Sequence, residues 1–181
     1  LAFGDFQSKL KDYPIDTLYE TIPNFHNTPI RYGHFEEALK NDVCDRAKNV
    51  PNEIQFVKSR KAFMYTLENA FNNGTLPKKV THNDTKLNNI LLNSETRKPV
   101  CIVDLDTIMP GYSVNDFGDS IRFGASTAVE DEPDLSKVHF DINMFETYTK
   151  GFLAGCAGNL TQTEVELLPV GAIMMTLECG M

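Results

Sequence analysis

The chain has 181 residues, a formal net charge of −8 and 41% hydrophobic residues, enough for one domain with a real core. The acidic balance argues against a nucleic-acid partner, because phosphate backbones select basic surfaces. It leaves a nucleotide substrate open, since a bound cation can mediate that contact locally.

The four cysteines (Cys44, Cys101, Cys156, Cys179) form no C-x-x-C pair, which gives no zinc or thioredoxin-like signature. They are expected to be buried free thiols in a reducing cytoplasm. The longest apolar run, residues 167–175, is too short to span a bilayer and contains Pro169, so no membrane partner is expected. No basic leader segment opens the chain. It starts on Leu1 and stops after an uncapped apolar run, so both ends are expected to be cut from a longer protein.

Residues 1–22 are expected to form two short helices, the second begun by Pro14. Residues 23–31 are expected to be a loop in which His26 is only solvated or packed. Residues 32–48 predict a helix carrying Phe35, Leu39 and Val43 on one side. From Pro51 a long helix is expected, with Ile54, Val57, Met64, Leu67 and Phe71 near helical spacing and Gly74 as its stop. Its basic residues Lys58, Arg60 and Lys61 are expected to form a solvated face.

Residues 81–92, T-H-N-D-T-K-L-N-N-I-L-L, carry side-chain types that phosphoryl transfer uses. Asp84 can accept a proton from an attacking hydroxyl, Lys86 is a cation for a transferring phosphate, and Asn89 is a neutral oxygen ligand for Mg²⁺. His82 can pack under the loop and hold its shape. The pattern H-x-D-x-K-x-x-N approaches the catalytic loop of protein kinases. A second metal ligand is needed, and Val100-Cys101-Ile102-Val103-Asp104 supplies it as an apolar run ending in an acid. A hairpin then returns Asp104 to the side of Asp84. One carboxylate and one amide suffice for Mg²⁺ that bridges to substrate phosphates.

Residues 107–113 predict a turn built on Pro110-Gly111, and residues 115–124 a helix. Asp116-Phe117-Gly118 spells D-F-G, but polar residues precede it and a helical pattern follows. Asp104, and not Asp116, is therefore read as the metal carboxylate. Val138, Phe140 and Ile142 alternate with polar residues, which predicts a half-buried strand. A helix is expected over 144–153, with Gly151, Gly155 and Gly158 admitting a neighbour. Thr161-Gln162-Thr163-Glu164 predicts a capping box opening the last helix, which Pro169 should kink or end.

The combination H-N-D-T-K-L-N-N-I-L-L, V-D-L-D and N-D-F-G-D-S-I-R resembles the aminoglycoside phosphotransferase and choline kinase-like superfamily. It is most similar to the N-acetylhexosamine 1-kinases. The resemblance runs from about Thr81 to Ser126. It implies an α+β, mainly helical fold, that of a protein kinase-like C-terminal lobe with a small β-hairpin at the catalytic loop. It implies Asp84 and Lys86 as catalytic residues, Asn89 and Asp104 as metal ligands, and His82 and Asp119 as supports of the loop. Asp106 and Arg122 are substrate-side candidates, although Arg122 also suits a plain ion pair. The implied activity is transfer of the ATP γ-phosphate, with Mg²⁺ as cofactor, to the anomeric hydroxyl of GlcNAc or GalNAc. The implied partners are the sugar and ATP.

Residues 1–80 show no glycine-rich phosphate loop and no strand lysine. The expected organisation is a partial C-terminal lobe: a helical segment (1–80), a catalytic and metal core (81–126) and C-terminal helices (127–181). The nucleotide lobe is expected to be absent, so the activity would belong to the parent protein and this piece alone would be inactive. Two other readings compete: a catalytically incompetent kinase-like binding module, and a kinase for choline, homoserine or an aminoglycoside.

Overall fold

A computed structural model describes all of residues 1–181. The fold is α+β and mainly helical, with small antiparallel sheets, as in a kinase-like C-terminal lobe. The helices are α1 (Ala2–Lys9), α2 (Thr28–Asn41), α3 (Pro51–Lys58), α4 (Thr66–Asn72), α5 (Ser113–Gly124), α6 (Ile142–Cys156) and α7 (Gln162–Gly180). The strands are β1 (Lys79–Thr81), β2 (Ile90–Leu92), β3 (Pro99–Ile102) and β4 (Met109–Gly111).

The strands form two separate ribbons. β1 pairs with β4, Val80 opposite Pro110. β2 pairs with β3, Ile90 opposite Ile102. The chain therefore crosses from the first ribbon to the second through residues 82–89 and returns through residues 103–108. The two crossings are tied to each other by hydrogen bonds, from the Val103 N–H to the Asn89 carbonyl and from the Thr107 hydroxyl to the His82 carbonyl.

Helix α5 lies at the centre, and every residue from Ser113 to Ile121 is buried. Val114, Phe117 and Ile121, at helical spacing, belong to the main core with Phe3, Leu67, Leu76, Phe152, Leu168 and Met174. Its polar residues Asp116, Asp119 and Ser120 hydrogen-bond the segment 82–85 instead. One helix thus serves the core with one face and the loop with another, which its 3.6-residue period permits.

Two close helix crossings set its position. A Cβ on Gly118 of α5 would collide with the Gly171 carbonyl of α7, and a Cβ on Gly171 would collide with the Val114 carbonyl. Likewise α1 crosses α6 where Gly4 meets the Phe152 carbonyl and Gly155 meets the Leu1 carbonyl. Side chains at these glycines would push the backbones apart.

Several expectations change. The long helix after Pro51 is broken into α3, a 3₁₀ turn (Phe63–Tyr65) and α4; Gly74 does end it, at φ +79°. Helix α2 begins earlier than residue 32, because Asn27 caps it by accepting the Ile30 N–H, and it stops where Asp42 turns left-handed. Pro14 opens only a 3₁₀ turn (Ile15–Thr17). Residues 138–142 form no strand. The alternation reflects a bridge between Ser126 and Phe140, with Val138, Phe140 and Ile142 all exposed.

Helix α7 continues past Pro169 to Gly180. Its capping box is present, with Thr161 and Glu164 bonding each other's main chain. The β2–β3 hairpin is not a buried one: Val100 is 68% and Leu91 52% exposed. Cysteine burial also differs, since only Cys156 is buried while Cys44, Cys101 and Cys179 are exposed. No helix is long and apolar enough to cross a membrane.

Candidate active site

The first crossing, residues 82–89, is held from below by α5. Asp116 is fully buried and accepts three bonds: from the His82 N–H at 3.0 Å, the Asn83 N–H at 2.8 Å and Gln7 Nε2 at 2.6 Å. Burial pushes its carboxyl above the ordinary carboxylate range, against the pull of the His82 and Asn83 N–H groups. Both of its oxygens are engaged inside the protein and no part of it is exposed, so it is not placed to bind a metal. Asp119, one helical turn on, accepts the Thr85 N–H at 2.7 Å and pairs with Arg122 at 2.9 Å. Thr85 returns a bond from its hydroxyl to the Asp116 carbonyl at 2.6 Å, and the Ser120 hydroxyl donates to the Thr85 carbonyl.

His82 is buried, with Phe3 and Phe6 set edge-on to its ring. Its Nε2 meets the Val103 carbonyl at 3.0 Å, and its Nδ1 faces the Asp84 N–H at 3.3 Å. A carbonyl needs a donor and an N–H needs an acceptor, and the tautomer with its proton on Nε2 meets both. The same ring joins the two crossings, because Val103 precedes Asp104. The Thr107 hydroxyl adds a second tie, to the His82 carbonyl at 2.7 Å.

Asp84 is half-buried at the end of this scaffold. Asn89 Nδ2 donates to both its carbonyl (2.9 Å) and its Oδ2 (3.0 Å). Lys86 Nζ stands 3.4 Å from Oδ1. Burial pulls the Lys86 ammonium down, but the Asp84 carboxylate and other acids nearby outweigh it, so its pKa is raised and the charge is secure. The carboxylate is thus oriented by an amide and flanked by a cation, and it keeps an exposed edge.

The chain belongs to the phosphotransferase enzyme family. The family's model matches residues 2–149, which takes in both crossings and α5. A kinase-type enzyme that acts on small molecules follows from that membership.

The family implies Mg²⁺, and the donors present fit it. The Asn89 side chain spends Nδ2 on Asp84, leaving its Oδ1 without a protein partner. Asp104 is exposed, its carboxylate is bonded to nothing in the protein, and it adopts φ +64°. Its neighbour Val103 donates its N–H to the Asn89 carbonyl at 3.0 Å, so the two candidate ligands sit on adjacent backbone. One carboxylate and one amide suit a metal that is completed by phosphates and water. Asp106 is exposed with no partner, while the Arg122 guanidinium is engaged by Asp119 and by Glu130 at 3.0 Å.

Four residues of this scaffold were not read from the sequence: Gln7, Asn83, Thr85 and Asp116. Asp116 had a signal, because it lies three residues before Asp119 on a helix and the two share a face. Gln7 had none, since it reaches the loop from α1 only through tertiary packing.

Proposed function

We propose that the chain carries the acceptor and metal side of an ATP-dependent kinase for a small-molecule hydroxyl, with the anomeric hydroxyl of GlcNAc or GalNAc as the acceptor. The observation that carries this reading is the Asp84 carboxylate, fixed by Asn89 at 3.0 Å and flanked by Lys86 at 3.4 Å. The choice of acceptor rests on the resemblance of residues 81–126 to N-acetylhexosamine 1-kinases.

In this reading the acceptor oxygen bonds to the γ-phosphorus, the bond from that phosphorus to the β,γ-bridging oxygen breaks, and ADP leaves with the electron pair. The hydroxyl proton passes late to Asp84. Lys86 offsets charge developing on the transferring group. Asn89 Oδ1 and the Asp104 carboxylate would hold Mg²⁺, which neutralises phosphate charge when bound. Most of the rate gain comes from positioning and electrostatics.

We place the grip on the nucleotide outside these 181 residues. The first strand begins at Lys79, and residues 1–78 are helices and turns. The apolar side chains of Leu87, Leu91, Leu92, Val100 and Leu105 are exposed around the β2–β3 ribbon, a surface that a second lobe would cover.

The test is ATP consumption by the intact enzyme with GlcNAc, GalNAc, choline, homoserine and aminoglycosides. Turnover on an N-acetylhexosamine is expected. Turnover confined to another acceptor would refute the sugar assignment and keep the kinase. No turnover on any of them would count against the whole reading.

A further inference from the structure

His26 lies far from the catalytic loop in sequence, yet its ring touches it. Nε2 is 3.0 Å from the Asn83 carbonyl, and Nδ1 is 2.9 Å from Glu178 Oε2 near the end of α7. The carbonyl accepts only, and so does Glu178 as a carboxylate. A ring that satisfies both must donate from both nitrogens, which makes it an imidazolium.

Glu178 is buried, and its other oxygen accepts the Thr28 hydroxyl at 2.6 Å. Arg31 on α2 stands 3.8 Å from the same carboxylate, and Phe25 packs against the histidine ring at 4.5 Å between centroids. The Asp119 carboxylate on α5 also acts on the ring through space. Burial alone would lower the pKa of His26, but the Glu178 carboxylate outweighs it and the net shift is upward. The cation therefore has a buried counter-charge, which a buried charge requires.

The peptide that joins Asn83 to Asp84 is the unit this contact acts on. Its carbonyl accepts from His26, and its N–H donates to His82 Nδ1. One histidine pins each end of the peptide plane directly before the catalytic carboxylate. Asn83 itself sits at φ +66°, a conformation that non-glycine residues keep only when their surroundings hold it. Its N–H goes to Asp116 and its Nδ2 to the Thr107 carbonyl. Those ties come from α5 and the second crossing; the His26 tie alone comes from the α2 and α7 side.

We propose that His26, anchored by Glu178, is a positioning residue that locks the Asn83–Asp84 peptide plane and thereby aims the Asp84 carboxylate. The proposal rests on the phosphotransferase reading only for its kinetic consequence; the lock itself is read without turnover.

The test compares three variants: Glu178→Gln, His26→Leu on that background, and His26→Gln on that background. Using Glu178→Gln as the parent avoids a buried charge left without its partner. Leucine removes the donor to Asn83, whereas a glutamine amide reaches the same place. Exchange of the Asp84 amide, followed by NMR, is expected to quicken at least about tenfold in the leucine variant and to return in the glutamine variant. In the intact enzyme with Mg-ATP and GlcNAc, kcat is expected to fall about 10- to 100-fold in the leucine variant, with KM changed by less than about twofold. Equal exchange at Asp84 in all three folded variants would overturn the proposal. Should the leucine variant fail to fold, the imidazole ¹⁵N shifts of the unmodified protein at pH 7 decide. Two protonated ring nitrogens are expected, and a ring lacking its Nε2 proton would overturn it. Lost turnover with altered exchange supports the lock, whereas altered exchange in a protein that never phosphorylates GlcNAc separates the lock from the sugar assignment.

Discussion

Asp104 and Asp116 show how position outweighs residue type. Both are aspartates, but Asp104 lies on an exposed crossing with a free carboxylate while Asp116 is buried under three N–H donors. Asp104→Asn should leave melting close to the native value and remove nearly all Mg²⁺-dependent turnover. Asp116→Asn should lower stability, while turnover per folded molecule falls much less than in Asp104→Asn. An asparagine has one acceptor oxygen where the structure uses two, and its NH₂ would face a main-chain N–H. The expected cost is roughly 2–4 kcal/mol of stability, read by urea unfolding. His26 gives a second test at this scale. Its pKa is raised in the fold, with burial opposing and Glu178 prevailing. A raised pKa stabilises the folded state fully below the unfolded value, near 6.5, and that contribution is lost as pH climbs through the folded value. Between pH 6 and 9 the unmodified chain should therefore lose more stability than Glu178→Gln, as measured by urea unfolding at each pH.

Among the elements, α5 and α7 determine the site by how closely they approach. Gly118 and Gly171 permit that contact, and Glu164 at the start of α7 locks it by accepting from Lys79 Nζ at 2.7 Å and from the Ser113 hydroxyl at 2.6 Å. Gly118→Ala should force the helices apart and displace Asp116 and Asp119 from the loop. A loss of about 1–3 kcal/mol is expected from overpacking, together with a drop in turnover larger than any loss of folded protein explains. Thermal melting beside kinetics reads both.

Much of this level was legible in the sequence. The caps at Thr161 and Gly74, helix α5 and the β2–β3 hairpin follow from local spacing and turn chemistry. The glycine crossings and the Lys79–Glu164 pair were not, because they depend on which helices meet. The false strand at 138–142 arose because alternation reports a half-buried surface only when a sheet exists to bury it.

At the scale of the molecule, two short ribbons and a central helix turn two distant chain crossings into one site. The candidate loop 82–89 was readable because its residues lie within one segment. His26 and the residues that support the loop from outside the segment, Gln7 through Asp116 and Glu178 through His26, were not, since tertiary packing brings them together from far along the chain. The central claim is that Asp84 receives the proton while a γ-phosphate moves to a sugar hydroxyl. The most direct measurement is ³¹P NMR of Mg-ATP and GlcNAc incubated with the intact enzyme, with its Asp84→Asn variant and with residues 1–181 alone. The account predicts a sugar phosphate signal growing in step with ADP for the intact enzyme, and none for either of the others. Sugar phosphate formed by Asp84→Asn at the rate of the unmodified enzyme would contradict it.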